Sequence, residues 1–437
     1  MKILPLIAAV LFATSCSKDD NDDTIADAVV NDQQPAVEQP TAGKVTIPFS
    51  IKVATGNSLS KITFDGTDGT SEHNVDFDDA SDLGKTLTVK AVNASTYPDV
   101  EGELTLKKSG AAYIFDGSID AKPENEAALK DGSIDLVGTF EGGETGEYFT
   151  GNFKKSTESL AKLMQSFKHT FTANFNYKSA DIKLLDNVAY FCFTVSEYQK
   201  KFDLSIGSAT ETFDVFDAAH QVWIAVPAGV TVTGNMVKSM TTAAGKVYKV
   251  DRSKDVDFGP KFSVLWATCN LGATSPAENG NYYACGETTT KSSYDNDDTY
   301  TASGLDSDLD NKHDAAYNYE YEPGKKLGDK GYRMPTKAEF DVLLEASNCG
   351  KDWKTETDEY GVAGYEFTND YGTIFLPAAG CRTSTNLTGS GVAGYYWTSV
   401  CYEALRFRNL YLNVMSAQMT ISQGYKGYSV RPIRSLN

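Results

Sequence analysis

The sequence predicts a mainly β fold with some α: an N-terminal β-sandwich region of one or two modules, then a terminal α+β module. Three observations carry this. Apolar residues recur at every second position through 44–119, the period of a half-buried strand. Gly 36 and Tyr 24 favour strands joined by tight turns. One compact helix signature, "KGYRMPTKAEFDVLLEAS" (330–347), stands among aromatic and glycine-rich stretches. At 437 residues the chain exceeds one ordinary core, so two or three domains are expected.

The chain opens with Met1-Lys2 and the apolar run 3–12, too short to span a bilayer, followed by Ala13-Thr14-Ser15-Cys16. This pattern resembles a bacterial lipoprotein signal, with 1–15 as the signal peptide and Cys16 as the acylated first residue of the mature protein. The "SKDDNDD" that follows resembles the acidic export signal of Bacteroidota lipoproteins. The resemblance implies a surface-exposed protein anchored to outer-membrane lipid through acylated Cys16, for which no transmembrane helix is needed. Residues 16–43, polar and dotted with proline, read as a flexible linker. Lys+Arg 40 against Asp+Glu 59 gives a net charge of -19, which argues against a nucleic-acid partner because nothing offsets phosphate repulsion.

From 44 onward the alternating runs are "KVTIPFSIKV" (44–53), "KITFDG" (61–66), "KTLTVKAV" (85–92), "EGELTLKK" (101–108) and "AAYIFDGSI" (111–119). They predict a β-sandwich module over 44–138. A second β-rich module over 139–250, open to being one unit with the first, contains a single helix over 156–167. There Ser156 is the candidate cap, and Leu160, Leu163, Met164 and Phe167 share a face. Strands resume through "VAYFCFTV" and "QVWIAVPAGVTV". With "WIAVPAG" and the closing "AAGKVYKV", residues 44–250 resemble the fimbrillin-like domains of Bacteroidota surface proteins. That implies a structural or adhesive module, with pilus subunits as possible partners.

Residues 252–437 form the terminal module. "VDFGPKFSVLWATCNLGATSPAENGNYYACGE", "YRMPTKAEFDVLL", "IFLPAAGCR", "GYYWTS" and "YSVRPI" occur in that order. Together they resemble the Fibrobacter succinogenes major paralogous domain of surface lipoproteins, a C-type-lectin-like family. The resemblance implies a C-type-lectin-like α+β fold that binds an extracellular glycan or protein through long loops. The physical reading of the helix is independent of it. Thr336 and Glu339 form a capping box, and Phe340, Leu343 and Leu344 make an apolar face, so the helix is scaffold.

The same "RMPTKAEF" segment resembles the formylglycine-generating enzymes, which work through late cysteines. Cys401 stands late in this chain without their surrounding pattern. The four histidines share no metal spacing, and no nucleophile elbow or phosphate loop appears, so an enzyme is not expected. No cofactor is expected either, with calcium the closest candidate. Asp306, Asp308 and Asp310 start a D-x-D-x-D loop but lack its glycine, and a solvated acidic loop is the plainer reading. Tyr317, Tyr319 and Tyr321 alternate as on a half-exposed strand. With Trp353, placed in a loop, they are the candidate ligand-binding aromatics. The lectin-like family has aromatics where this chain has Cys285 and Cys381, which implies a candidate disulfide between them. Cys269 and Cys349 stand where the family often has cysteine, implying a second. The alternative of free thiols stays open.

Overall fold

The computed structural model describes residues 43–54, 70–72, 82–142, 149–156, 162–163, 166–215, 220–295, 300–302 and 304–435. The signal segment 1–15, Cys16, the linker to residue 42, the 61–66 run and most of the expected 156–167 helix lie outside them. Of that helix, Ser156 closes a strand, Lys162 and Leu163 are helical, and Leu163 and Phe167 are buried. Strands make up 51% and helices 8% of the structure, so the mainly β expectation holds.

Alternation builds the first sheet. Val45–Val53 buries every second residue from Ile47 onward, as its apolar spacing requires. It pairs antiparallel with Ala112–Ala121, Ile47 opposite Ile119. Eight strands follow in the order Leu185–Asp186, His169–Asn176, Asp135–Gly142, Thr86–Ala91, Glu101–Ser109, Ala112–Ala121, Val45–Val53 and Asp181–Ile182. The two edge strands are separated in sequence only by residues 183 and 184, so this sheet curls until its edges nearly meet. Leu87, Leu104, Phe115, Ile119 and Phe140 fill its interior. The expected division between 138 and 139 falls inside the strand Asp135–Gly142, and the sheet draws strands from both sides of it. The ladder joining Gly138 to Val89 and Ala173 runs straight through that position, which fits the alternative that the two ranges are one unit.

A second sheet orders Thr70–Glu72, Lys246–Arg252, Val188–Val195, Gln221–Pro227 and Lys154–Ser156. A third orders Ala209–Asp214, Lys201–Ile206, Thr231–Gly234 and Val237–Thr241. They share a core of Phe191, Phe193, Phe202, Phe213, Ile224 and Val232. Val188–Val195 is apolar at nearly every position because its other face is also covered, Tyr190, Cys192 and Trp223 packing with Leu163 and Phe167. Asp186 of the first sheet accepts from the Tyr190 hydroxyl at 2.5 Å and pairs with His169 Nδ1 at 2.9 Å, tying the first two sheets together.

Beyond residue 252, the strands Asp255–Asp257, Leu265–Ala267, Ile433–Arg434 and Tyr332–Arg333 form one sheet. Pairing of Trp266 with Ile433 brings the beginning and end of the module side by side. A three-stranded sheet holds Gly350–Lys354, Gly364–Thr368 and Thr373–Pro377. A five-stranded sheet orders Asn386–Ser390, Ala379–Thr383, Ala393–Glu403, Arg406–Asn413 and Ser416–Gln423. The helix Lys337–Leu344 starts at the expected capping box: Thr336 Oγ1 accepts from the Glu339 amide at 3.3 Å, and Glu339 Oε2 accepts from the Thr336 amide at 2.7 Å. Arg333 adds a two-pronged ion pair to Glu339. Phe340 and Leu343 enter the core beside Trp266, Phe367 and Leu410, with Leu344 half-buried against it. The helix is scaffold.

Candidate functional site

Between Leu265–Ala267 and the short helix Ala315–Asn318, the described residues of 268–314 contain no helix and no strand longer than an isolated bridge. So long an irregular segment in a compact domain is usually a binding or lid loop. Its aromatics are four tyrosines, Tyr282, Tyr283, Tyr294 and Tyr300, and the first three help fasten it to the five-stranded sheet and the segments beside it. Tyr283 and Tyr428 exchange both backbone bonds, at 2.9 and 3.0 Å. Tyr294 does the same with Ser384, at 3.0 and 3.1 Å. The Trp397 indole donates to the Tyr283 carbonyl at 2.8 Å. The Tyr282 hydroxyl donates to Ala379 at 2.5 Å, that of Tyr294 to Tyr282 at 2.5 Å, and that of Tyr300 to Cys285 at 2.9 Å. Burial pushes the phenols of Tyr282 and Tyr283 up to about 12, so both stay neutral; the Tyr283 hydroxyl accepts from Asn281 Nδ2 at 3.4 Å.

Charge is handled inside the same loop. Glu287, nearly buried, accepts from the Thr301 amide at 2.7 Å and from Lys291 Nζ at 3.1 Å, and that ammonium lies 5.5 Å from the Tyr300 ring centre. What faces solvent is polar: Thr289, Thr290, Ser292, Asp306 and Ser307 are exposed. The loop thus combines a fastened base with exposed polar side chains.

Beneath the loop, Arg431 of "YSVRPI" is fully buried. Its guanidinium donates to Asn270 Oδ1 at 2.9 Å and to the carbonyls of Ala267, Thr268 and Phe375 at 2.9, 2.7 and 2.7 Å. Every acceptor named is neutral, and burial lowers the pKa of the group. The motif marked the position, but nothing in the sequence revealed that Arg431 fastens the loop's first residues to the three-stranded sheet.

The expected site residues scatter. Tyr317 lies in the Ala315–Asn318 helix, capped by Asp314, rather than on a strand. Asp314 also accepts from the Met334 amide at 2.8 Å, so a tertiary bond overrides the apparent alternation. Tyr319 packs against the core below Trp397. The Tyr321 ring carries Lys330 Nζ at 4.3 Å. Trp353 belongs to the strand Gly350–Lys354, not to a loop, and its ring packs edge-on against Tyr365 at 5.2 Å. Tyr317 and Tyr321 thus both lie against the turn Leu327–Lys330, while Trp353 belongs to the three-stranded sheet.

Among the described residues no three carboxylate, histidine or cysteine groups converge as a metal site. Asp308 accepts from the Cys401 amide at 2.8 Å, and Asp310 from the Lys312 amide at 3.0 Å and His313 Nδ1 at 2.6 Å. The carboxylates of Asp308 and Asp310 thus serve separate turn and strand contacts. All six described cysteines are free thiols, so neither Cys285–Cys381 nor Cys269–Cys349 is bridged. Cys285 and Cys381 pack in the same cluster as Trp397 without a bond between them, while Cys349 sits in the core of Phe340. Burial, then the carboxylates of Asp308, Asp306 and Glu403, raise the Cys401 thiol, the opposite of an activated nucleophile.

A cleft of about 380 Å³ opens between residues 258–262, 346–350 and 368–371, with Lys261, Asn348, Cys349, Asn369 and Tyr371 on its walls. It lies beside a polar joint with the third sheet. Gln199 Nε2 donates to the carbonyls of Lys201, Asp257 and Tyr371 at 2.6, 2.9 and 3.0 Å, and Gln199 Oε1 accepts from the Asp257 amide at 2.8 Å. Asn235 donates to Asp257 Oδ1 at 3.1 Å, and the Tyr371 hydroxyl donates to Asp203 at 2.9 Å. Burial pushes the Asp257 carboxyl up to about 6. Bonds from Gly259 and Asn235 oppose that, and the nearby Asp203 adds to it. Sequence reasoning missed this joint, because Gln199, Asn235 and Asp257 are far apart along the chain.

No helix among the described residues is long and apolar enough to cross a membrane. No protein-family model, curated protein or solved structure matches the chain.

Proposed function

We propose that this is a lipid-anchored surface protein of the outer membrane whose terminal module, a C-type-lectin-like domain, binds an extracellular glycan or glycoprotein. The observation that carries the reading is the 268–314 loop, irregular along its described length yet pinned through Tyr282, Tyr283, Tyr294 and Trp397 to the five-stranded sheet and the segments beside it. Ordering such a segment in advance spares a ligand the entropy of doing so. Its exposed hydroxyls offer hydrogen bonds of the kind sugars satisfy. The anchor rests on the Met1–Cys16 pattern, and the paired second and third sheets are consistent with a fimbrillin-like sandwich that holds the module off the membrane.

The test is binding of the purified protein to a panel of glycans and host glycoproteins, with calcium and with chelator. Saturable binding lost on substituting Thr289, Thr290 and Ser292 by alanine is the expected result. Absence of saturable binding across the panel would remove the reading. Binding abolished by chelator would assign Asp306, Asp308 and Asp310 a role that their separate contacts do not suggest.

A further inference from the structure

The five-stranded sheet ends on Ser416–Gln423, which among the described residues has a neighbour, Arg406–Asn413, on one side only. The two-residue turn Val414–Met415 closes this hairpin at Asn413 and Ser416. Ladder bonds therefore fall on the even-numbered residues of the edge strand, and the N–H and C=O groups of Ala417, Met419 and Ile421 point away from the sheet. The strand reads SAQMTISQ, eight residues with no charge and no proline. Edge strands ordinarily carry such features to block pairing with other chains. Here Ala209–Asp214 has Glu211 and Asp214, Val237–Thr241 has Lys238, and Gly350–Lys354 has three charges. The uncharged opposite edge, Asn386–Ser390, is five residues long and interrupted by Gly389 at φ 72°. At the tip of the free edge, Val414 is 61% and Met415 85% exposed, Met415 more than any other large apolar side chain described.

We infer that Ser416–Gln423 pairs antiparallel with the same strand of a second copy of this chain, about a two-fold axis at Thr420. Only outward-pointing residues can exchange ladder bonds, so odd positions must meet odd positions. An axis at Thr420 sets Met419 opposite Ile421 and Ala417 opposite Gln423 of the second copy. It also carries the exposed Met415 toward Tyr425 of the second copy, covering the most exposed apolar side chain. At -19 per chain, copies repel wherever acidic surfaces face each other. A neutral edge lets them meet with no carboxylates opposed. Because the same strand serves both sides, the contact closes at two copies. The helix Lys337–Leu344 packs on the core face of this sheet, Phe340 and Leu343 sharing a core with Ala417 and Met419, and no other strand among the described residues pairs with the outer edge of Ser416–Gln423.

The test uses the full chain in analytical ultracentrifugation, with Ile421→Lys and Thr420→Cys variants. The wild type is expected to dimerise with concentration, and Ile421→Lys to weaken that on the order of 10-fold by facing the second copy's Met419 with a charge in each of the two symmetry-related pairs. Thr420 meets its own symmetry mate in a non-ladder pair, where Cβ atoms lie roughly 4.5–5.5 Å apart. Thr420→Cys is therefore expected to give a species of twice the monomer mass when oxidised with diamide, which the wild type with its own cysteines does not. A wild type that stays monomeric at concentrations on the order of 100 µM overturns the inference. So does a dimer indifferent to a folded Ile421→Lys, or a Thr420→Cys protein that fails to cross-link. Should Ile421→Lys not fold, the Thr420→Cys result decides.

Discussion

Replacing Asp257 by asparagine tests the polar joint through its proton. The carboxyl is 1% exposed and accepts bonds from the Gly259 amide at 2.9 Å and from Asn235 at 3.1 Å. Its nearest charged neighbour among the causes of its shift is another carboxylate, Asp203. Its pKa rises from 3.8 to about 6 on folding, so the folded state holds this proton more tightly than the unfolded chain. Stability is then lost as pH rises from about 4 through 6, and above that the loss is complete. Two pKa units correspond to about 3 kcal/mol. Asparagine keeps an oxygen for Gly259 and Asn235 and carries no charge. Asp257→Asn should therefore be more stable than the wild type at pH 7.5 by up to about 3 kcal/mol, with the difference shrinking toward zero near pH 4. Urea unfolding of both proteins between pH 4 and 8 measures this. Parallel pH profiles for the two would refute the reasoning, and so would an asparagine variant less stable at pH 7.5 than at pH 4 relative to wild type.

Arg431→Met leaves the carbonyls of Ala267, Thr268 and Phe375 without their donor, and should cost about 3–5 kcal/mol in urea unfolding; a loss below about 1 kcal/mol would contradict its role as a fastener. Thr336→Ala removes one half of the capping box and should cost about 1 kcal/mol by the same assay. Asp308→Ala should speed hydrogen exchange at the Cys401 amide, while Asp306→Ala should leave it unchanged; equal effects would show that the strand does not depend on that bond. Burial pushes the Cys192 thiol up to about 11 and that of Cys349 to about 12, and raises Cys285 as well. Iodoacetamide at pH 8 should then label Cys381 and Cys269 in the native protein well before these three, as peptide mass spectrometry would show.

Local features were legible in the sequence. The alternation in Val45–Val53 reappears as alternating burial, and Thr336 and Glu339 make the bonds their spacing implies. Features set by distant partners were not. Nothing near residue 138 shows that its strand joins 86–91 to 169–176, nor that Val188–Val195 takes Lys246–Arg252 as a parallel neighbour. Tyr317, Tyr319 and Tyr321 kept a strand's spacing, yet Asp314 accepts from the Tyr317 and Met334 amides and winds the first of them into a helical turn. The candidate site was not legible as a site. "NYYACGE" was visible only as one motif of a family resemblance, and the loop's fastening by Arg431 depends on a carbonyl at Phe375 that no local pattern could indicate.

Hydrogen exchange of the intact protein, with and without members of the glycan and glycoprotein panel, bears most directly on the ligand-binding reading. The expected result is saturable binding to at least one member, with new protection concentrated in 268–314. Protection confined to 44–250, or no ligand that protects any segment, would contradict it.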